Sequence, residues 1–210
     1  MLIQLTTTRE PGTDLGYLLH KHPDRPVTFE VAQGKAHVVW PEAGDERATC
    51  ALVLDIDPVS LVRGRGGRDQ TGPLAQYVND RPYVASSWLS VAISRAFRSA
   101  MAGQCKERPE LVDEAFPLEI RIDVVPSRGG PGLLGRLFEP LGYTVEAERL
   151  PLDPAFPSWG DSPYYRLVLR HTLPVRDALR HLYVLLPVLD GDKHYWVGRD
   201  EVAKIVAKGK

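Results

Sequence analysis

At 210 residues the chain is long enough to bury a full hydrophobic core, as one large domain or two small ones. Its hydrophobic fraction of 43% and charged fraction of 25% are those of an ordinary globular protein. A formal net charge of −1 excludes a globally basic nucleic-acid binder, although residues 1–60 hold nine acids and five bases while residues 61–136 hold eleven bases and eight acids, an asymmetry able to orient a partner.

Leu2 to Thr7 alternates weakly and is predicted as a strand. Asp14 to Lys21 places Leu15, Leu18 and Leu19 on one helical face, with Thr13 or Asp14 as N-cap, and His22-Pro23 stops it. Val27, Phe29 and Val31 alternate with polar residues, Gln33-Gly34 is a tight connection, and Ala36, Val38 and Trp40 alternate again, so residues 27–40 read as a hairpin. Ala48 to Ile56 is nearly all apolar and is expected to be a central strand buried on both faces. Asp57 then caps a short helix, Pro58 to Val62.

Residues 84–102 form the strongest predicted helix. Val84, Trp88, Ala92, Ala96 and Ala100 recur every four residues, Ser90 and Ser94 fall on the polar side, Ser86-Ser87 cap the start, and Gly103 closes the end. Leu118, Ile120, Ile122 and Val124 alternate with Glu119, Arg121 and Asp123, giving a strand with one dry and one wet face. Pro131 to Leu141 is a helix ended by Gly142; Tyr143, Val145 and Ala147 alternate after it. Pro151 to Pro163 is turn-rich, Tyr165 to Leu169 alternates, and Pro174 opens a helix through Leu186. His194 to Val197 is short and extended, and Asp200 caps a last helix. The expected fold is α+β: mostly antiparallel mixed sheet with several packed helices.

Candidate chemistry is sparse. The turn Ser127-Arg128-Gly129-Gly130-Pro131-Gly132 joins a strand to a helix, and backbone N–H groups at such a start attract anions, with Arg128 adding charge. It lacks the Lys-Ser/Thr of a P-loop and the spacing of a dinucleotide fingerprint, so a plain βα turn competes with an RNA or phosphate contact. Asp55 and Asp57 leave the buried strand on the same side and could face one cation, yet no third ligand is near, and Asp57 is more simply a cap. His37 and His181 are isolated, His171 ends a strand, and no pair of histidines has helical metal spacing; no metal site is expected. Cys50 and Cys105 form no Cys-x-x-Cys; Cys50 reads as a small buried hydrophobe, and this usage fits a reducing cytoplasm. Met1 to Thr6 lacks the features of a signal peptide, and the longest apolar run, Leu182 to Leu189, is too short for a membrane. Trp40 and Trp88 fall on dry faces, while Trp159 and Trp196 sit in turn-rich segments and are freer to stack on a ligand. No nucleophile–base set is present, so no catalytic residue is assigned and a binding or regulatory module is favoured.

The polar-aromatic run Pro73 to Trp88 is not demanded by a packed core and reads as a recognition loop leading into a helix, the alternative being a loop that only braces that helix. That run, Leu15 to Pro23, Asp55 to Val59, Gly103 to Pro109, Arg136 to Tyr143 and His181 to Gly198, taken together and in order, resemble the N-terminal domain of bacterial 3′-terminal RNA ribose 2′-O-methyltransferases, the bacterial HEN family. The resemblance implies that residues 1–190 are a ligase-activating N-terminal domain, as one unit or as lobes of about 1–75 and 76–190. Residues 191–210 then lead toward a methyltransferase domain that this sequence does not include. S-adenosylmethionine and a divalent metal belong with that domain, and the fragment itself needs no cofactor. The implied partner is the polynucleotide kinase–phosphatase–ligase of the same RNA-repair system, bound as a hetero-oligomer, with RNA contacted only indirectly and no membrane involved. The parent protein would methylate the terminal 2′-hydroxyl of cleaved RNA. The loop residues Asn79, Asp80, Arg81 and Tyr83 are the expected partner contacts, because Arg and Tyr are typical interface anchors and Pro82 lowers the ordering cost. The alternative is a module that binds RNA ends and presents them to the methyltransferase.

Overall fold

The computed structural model describes residues 1–31, 34–57, 85–127 and 129–190. Strands β1 (Leu2–Thr7), β2 (Val27–Val31), β3 (Gly34–Ala43), β4 (Ala48–Ile56), β5 (Ala115–Pro126), β6 (Thr144–Pro151) and β7 (Asp161–Pro174) form one sheet in the order β2-β3-β4-β1-β5-β7-β6. Every described pairing is antiparallel. With helices α1 (Asp14–Leu19), α2 (Ala85–Ala96), α3 (Arg98–Met101), α4 (Pro131–Phe138) and α5 (Val175–Leu185), the fold is α+β.

The sheet follows from the alternation. Phe116, Leu118, Ile120 and Ile122 of β5 and Tyr165, Leu167 and Leu169 of β7 point to one buried face, where α2 and α5 pack. β1 lies between β4 and β5, so residues before 57 and after 85 share one sheet and one core. β4 is buried on both faces, as its composition predicts, and Cys50 sits within it, its thiol pushed up to about 12 by burial. Thr6 and Thr49, both buried, satisfy each other at 3.0 Å.

Several local expectations are corrected. Val124 does not continue the dry face: the chain takes φ +74° there, the register against β7 shifts between Ile122 and Val125, and Val124 is turned outward while Val125 is buried. This is a bulge, in which one extra residue resets the alternation. The predicted helix over 84–102 is broken at Phe97 (φ −120°, ψ 28°) into α2 and α3. Phe97 turns into the core there, and its N–H still reaches the Ile93 carbonyl at 2.9 Å. Ser86 does not cap that helix; it lies inside α2, buried, with no hydrogen bond to its hydroxyl among the described residues. Ser90 is not on a wet face, because its hydroxyl is buried and donates to the Tyr183 carbonyl at 2.6 Å. Trp40 and Trp88 are half-buried at the core's margin rather than within it. Gly103 does end the helix: at φ +69° it lets its own N–H reach Ala100 (2.9 Å) and that of Gln104 reach Ser99 (3.0 Å).

Candidate functional site

Of the sequence-predicted site residues, Asn79, Asp80, Arg81, Tyr83 and Arg128 lie outside the described residues, as do the helices expected over 58–62 and after Asp200. The helix that the 73–88 run feeds is placed: α2 packs against α5 and the 3-10 turn Leu186–Asp190. Its Arg95 donates to the Glu30 carbonyl and stacks over the Phe29 ring at 5.3 Å, tying α2 to β2.

The described residues of the glycine turn bond back on one another. Ser127 donates its N–H to Pro163 (2.9 Å) and its hydroxyl to the Gly130 carbonyl (2.8 Å), while Gly130 N–H returns to Ser127 (3.1 Å) and Leu133 N–H to Gly130 (3.2 Å). Gly130 stands at φ +69°, and a Cβ on Gly129 would lie 2.8 Å from Leu133 Cβ, whereas Gly132 has open space around it. Gly129 and Gly130 thus have steric reasons of their own, and several donors an anion would want are already used. Asp55 and Asp57 are exposed at the end of β4, and no group of three metal-ligating side chains gathers among the described residues.

What the fold does assemble is a contact between two of the segments that carried the resemblance. Asp14, nearly inaccessible at 1% exposure, is not a helix cap; Thr13 and Asp14 make no such bond. Its carboxylate instead receives the guanidinium of Arg9 from the chain after β1 and that of Arg108 at 3.0 Å. Arg9 continues to Glu114 (2.6 Å) and covers the Phe116 ring at 4.7 Å. Alongside, His20 donates its Nε2–H to the Gln104 carbonyl, Cys105 Sγ contacts the Tyr17 carbonyl at 3.6 Å, and Arg108 lies over the Tyr17 ring at 5.9 Å. Tyr17 keeps 42% of its surface exposed, so this junction presents an aromatic ring beside Arg108. Residues ninety positions apart carry no mutual signal in the sequence.

His171, predicted to end a strand, and His181, isolated in the sequence, meet on Tyr143. The Tyr143 hydroxyl is hydrogen-bonded to His181 Nδ1 at 3.0 Å, and its ring stands edge-on to His171 (5.2 Å) and Phe138 (5.9 Å). Burial, and then the nearby Asp177 carboxylate, pushes the Tyr143 hydroxyl well above its usual range, so it stays a neutral donor or acceptor. Burial also lowers the His181 pKa, Asp177 offsetting part of the shift and His171 adding to it. The folded ring therefore resists the proton that the unfolded chain accepts near its usual 6.5. Stability from this site is complete above that value and is lost as pH falls below it, because the unfolded state binds the proton first. His181→Gln is expected to flatten the fall of Tm between about pH 7 and about pH 5, measured by thermal melts across that range.

The other face of β5, β7 and β6 is a ladder of charges. Arg170 bridges Glu119 (2.7 Å) and Glu146, Arg166 bridges Asp123 (3.0 Å) and Glu148 (2.6 Å), and Arg121 also reaches Asp123 (3.2 Å). An open cleft of about 420 Å³ lies at its Glu119–Arg170 end, lined by Thr6, Arg47, Glu119, Thr144, Arg170 and His171. Arg47 is paired too, with Glu42 at 3.0 Å. An RNA phosphate entering here would have to displace carboxylates from both arginines, which weighs against this face as an RNA track.

The family whose model matches residues 1–210 is described as the RNA repair, ligase-Pnkp-associating, region of Hen1. Two solved chains from structures of a Pnkp1/Rnl/Hen1 complex, one described as an RNA repair complex, share the fold at TM-scores of 0.57 and 0.56 and 15% identity. Each alignment covers 99% of this chain and 47% of the solved chain, so the present sequence spans about half of its structural relatives. No curated protein matches the chain.

Proposed function

The chain belongs to the family of the RNA repair, ligase-Pnkp-associating region of Hen1, and from that premise we propose that it is a non-catalytic module that binds a polynucleotide kinase–phosphatase–ligase and switches on its RNA ligase. The observation that carries this reading is the family match over the whole length, to a region defined by association rather than by chemistry. The paired arginines on the open sheet face support it, since they leave a protein surface better suited to specific docking than to phosphate tracking. Activation would be a population shift: the module binds the sealing-competent ligase conformation more tightly than the idle one. In this reading the parent protein is a bacterial, cytoplasmic RNA 2′-O-methyltransferase, and S-adenosylmethionine and a divalent metal belong to its other portion.

Size-exclusion chromatography with light scattering, on the chain mixed with its kinase–phosphatase–ligase, tests the association. A stoichiometric complex is expected; separate elution at micromolar concentrations refutes it. Titration with RNA at two salt concentrations tests the competing RNA-end reading, which requires strongly salt-dependent binding by the isolated chain. Within the docking reading, Asn79, Asp80, Arg81 and Tyr83 are proposed contacts. Arg81→Ala combined with Tyr83→Ala is expected to abolish stimulation of sealing while leaving Tm unchanged; full stimulation by the double variant would place the contact elsewhere.

A further inference from the structure

The β6–β7 connection carries an aromatic knob. Phe156 and Trp159 stack with ring centroids 4.7 Å apart and planes 14° from parallel. They are 50% and 61% exposed, and Leu152 beside them in sequence is 57% exposed. None of the three packs against the hydrophobic core formed by the described residues. Solvent-exposed apolar side chains grouped in this way mark an interaction site more often than they serve stability.

The loop that presents them is held rigid from within. Asp153 accepts from Ala155 N–H through its carboxylate (2.8 Å) and from Phe156 N–H through its carbonyl (3.1 Å). Trp159 N–H returns to Phe156 (3.0 Å), Gly160 N–H to Pro157 (3.1 Å), and Leu152 N–H closes the loop on Gly160 (3.0 Å). At its base Arg149 donates to the Ser162 carbonyl (2.9 Å) and Ser162 to the Leu150 carbonyl (2.8 Å). Pro151, Pro154 and Pro157 restrict the remaining backbone. An anchor ordered before it binds loses little entropy on docking.

We propose that the Phe156–Trp159 knob is the apolar anchor by which this module docks onto its protein partner, entering an apolar pocket with a basic rim. This rests on the docking function proposed above. A protein partner is favoured over RNA by charge: among the described residues of the loop and its base, 149–162, the charged side chains are Arg149, Asp153 and Asp161, and Arg149 is committed to Asp161 (3.6 Å) and to Ser162, which leaves the Asp153 carboxylate as the net charge beside the rings. A phosphate backbone would meet the Asp153 carboxylate, and the two rings already cover one face of each other.

The test measures affinity for the cognate kinase–phosphatase–ligase by isothermal titration, using the whole chain, Phe156→Ala/Trp159→Ala, Trp159→Phe and Asp153→Asn. The double alanine variant is expected to weaken Kd by about thirtyfold or more at unchanged Tm, the size of loss at a central anchor. Trp159→Phe should retain most of the affinity. Asp153→Asn keeps the turn's acceptor while removing its charge, and should slow association and weaken its salt dependence. Binding by the wild type with unchanged affinity in the double variant would overturn the knob and leave the docking function standing. Failure of the wild type to bind would overturn both. Loss of self-association or of RNA binding, with partner affinity intact, would also overturn the proposal.

Discussion

Replacing Asp14 with alanine is expected to lower the free energy of unfolding by about 2–3 kcal/mol, measured by urea denaturation. The carboxylate is 1% exposed and is held by Arg9 and Arg108, the latter at 3.0 Å. Its removal unties α1 from the chain leaving β1 and from the segment after α3. The loss falls at the lower edge of the range for a broken buried pair, because Arg9 and Arg108 are 22% and 39% exposed and can regain water. Arg9→Ala is the sharper companion: it leaves the buried carboxylate with one partner fewer and uncovers Phe116, so its cost should match or exceed that of the Asp14 change. A loss below about 0.5 kcal/mol for Asp14→Ala would show the junction to be an ordinary surface ion pair.

The second large effect belongs to Gly34. A Cβ there would sit 2.1 Å from the Asp55 carbonyl oxygen and 3.1 Å from Asp57 N, at a φ of +150° that L side chains rarely adopt. Both obstacles are backbone, so no rotamer change relieves them. Gly34→Ala is expected to cost about 3 kcal/mol or more and to loosen the β3–β4 pairing at its Gly34–Ile56 end, seen as faster amide exchange there. Gly132→Ala is the control. It lies in the first turn of α4 with nothing within 4 Å of the added carbon, so the same substitution should be neutral or stabilise by up to about 1 kcal/mol. Equal effects at the two sites would contradict this account of the hairpin.

The elements legible in the sequence are those with a local signal. β1 and β4 occupy the residues expected, Gly103 and Gly142 end their helices with positive φ, and the 27–40 hairpin forms around Gly34, with β3 running on to Ala43. The bulge at Val124 and the break at Phe97 escaped because neither carries a glycine or proline; a β-branched residue at φ +74° is a rare conformation imposed by pairing with β7. Ser90 departs from the polar side of α2 because its partner, the Tyr183 carbonyl, lies 93 residues away in sequence. The same distance problem hid the Asp14–Arg108 junction and the meeting of His171 and His181 on Tyr143. For Trp159, the turn-rich context did announce exposure; its stacking on Phe156 depends on the 3-10 turn Pro157–Trp159, which composition alone does not specify.

The most direct measurement is sealing of a nicked RNA by the cognate kinase–phosphatase–ligase, with and without this chain, at protein concentrations where the complex forms. Sealing that appears only when the chain is added, and saturates at a fixed stoichiometry, is the predicted result. Equal sealing in its absence, or no stimulation at any ratio, would contradict the claim that residues 1–210 act by switching on a ligase.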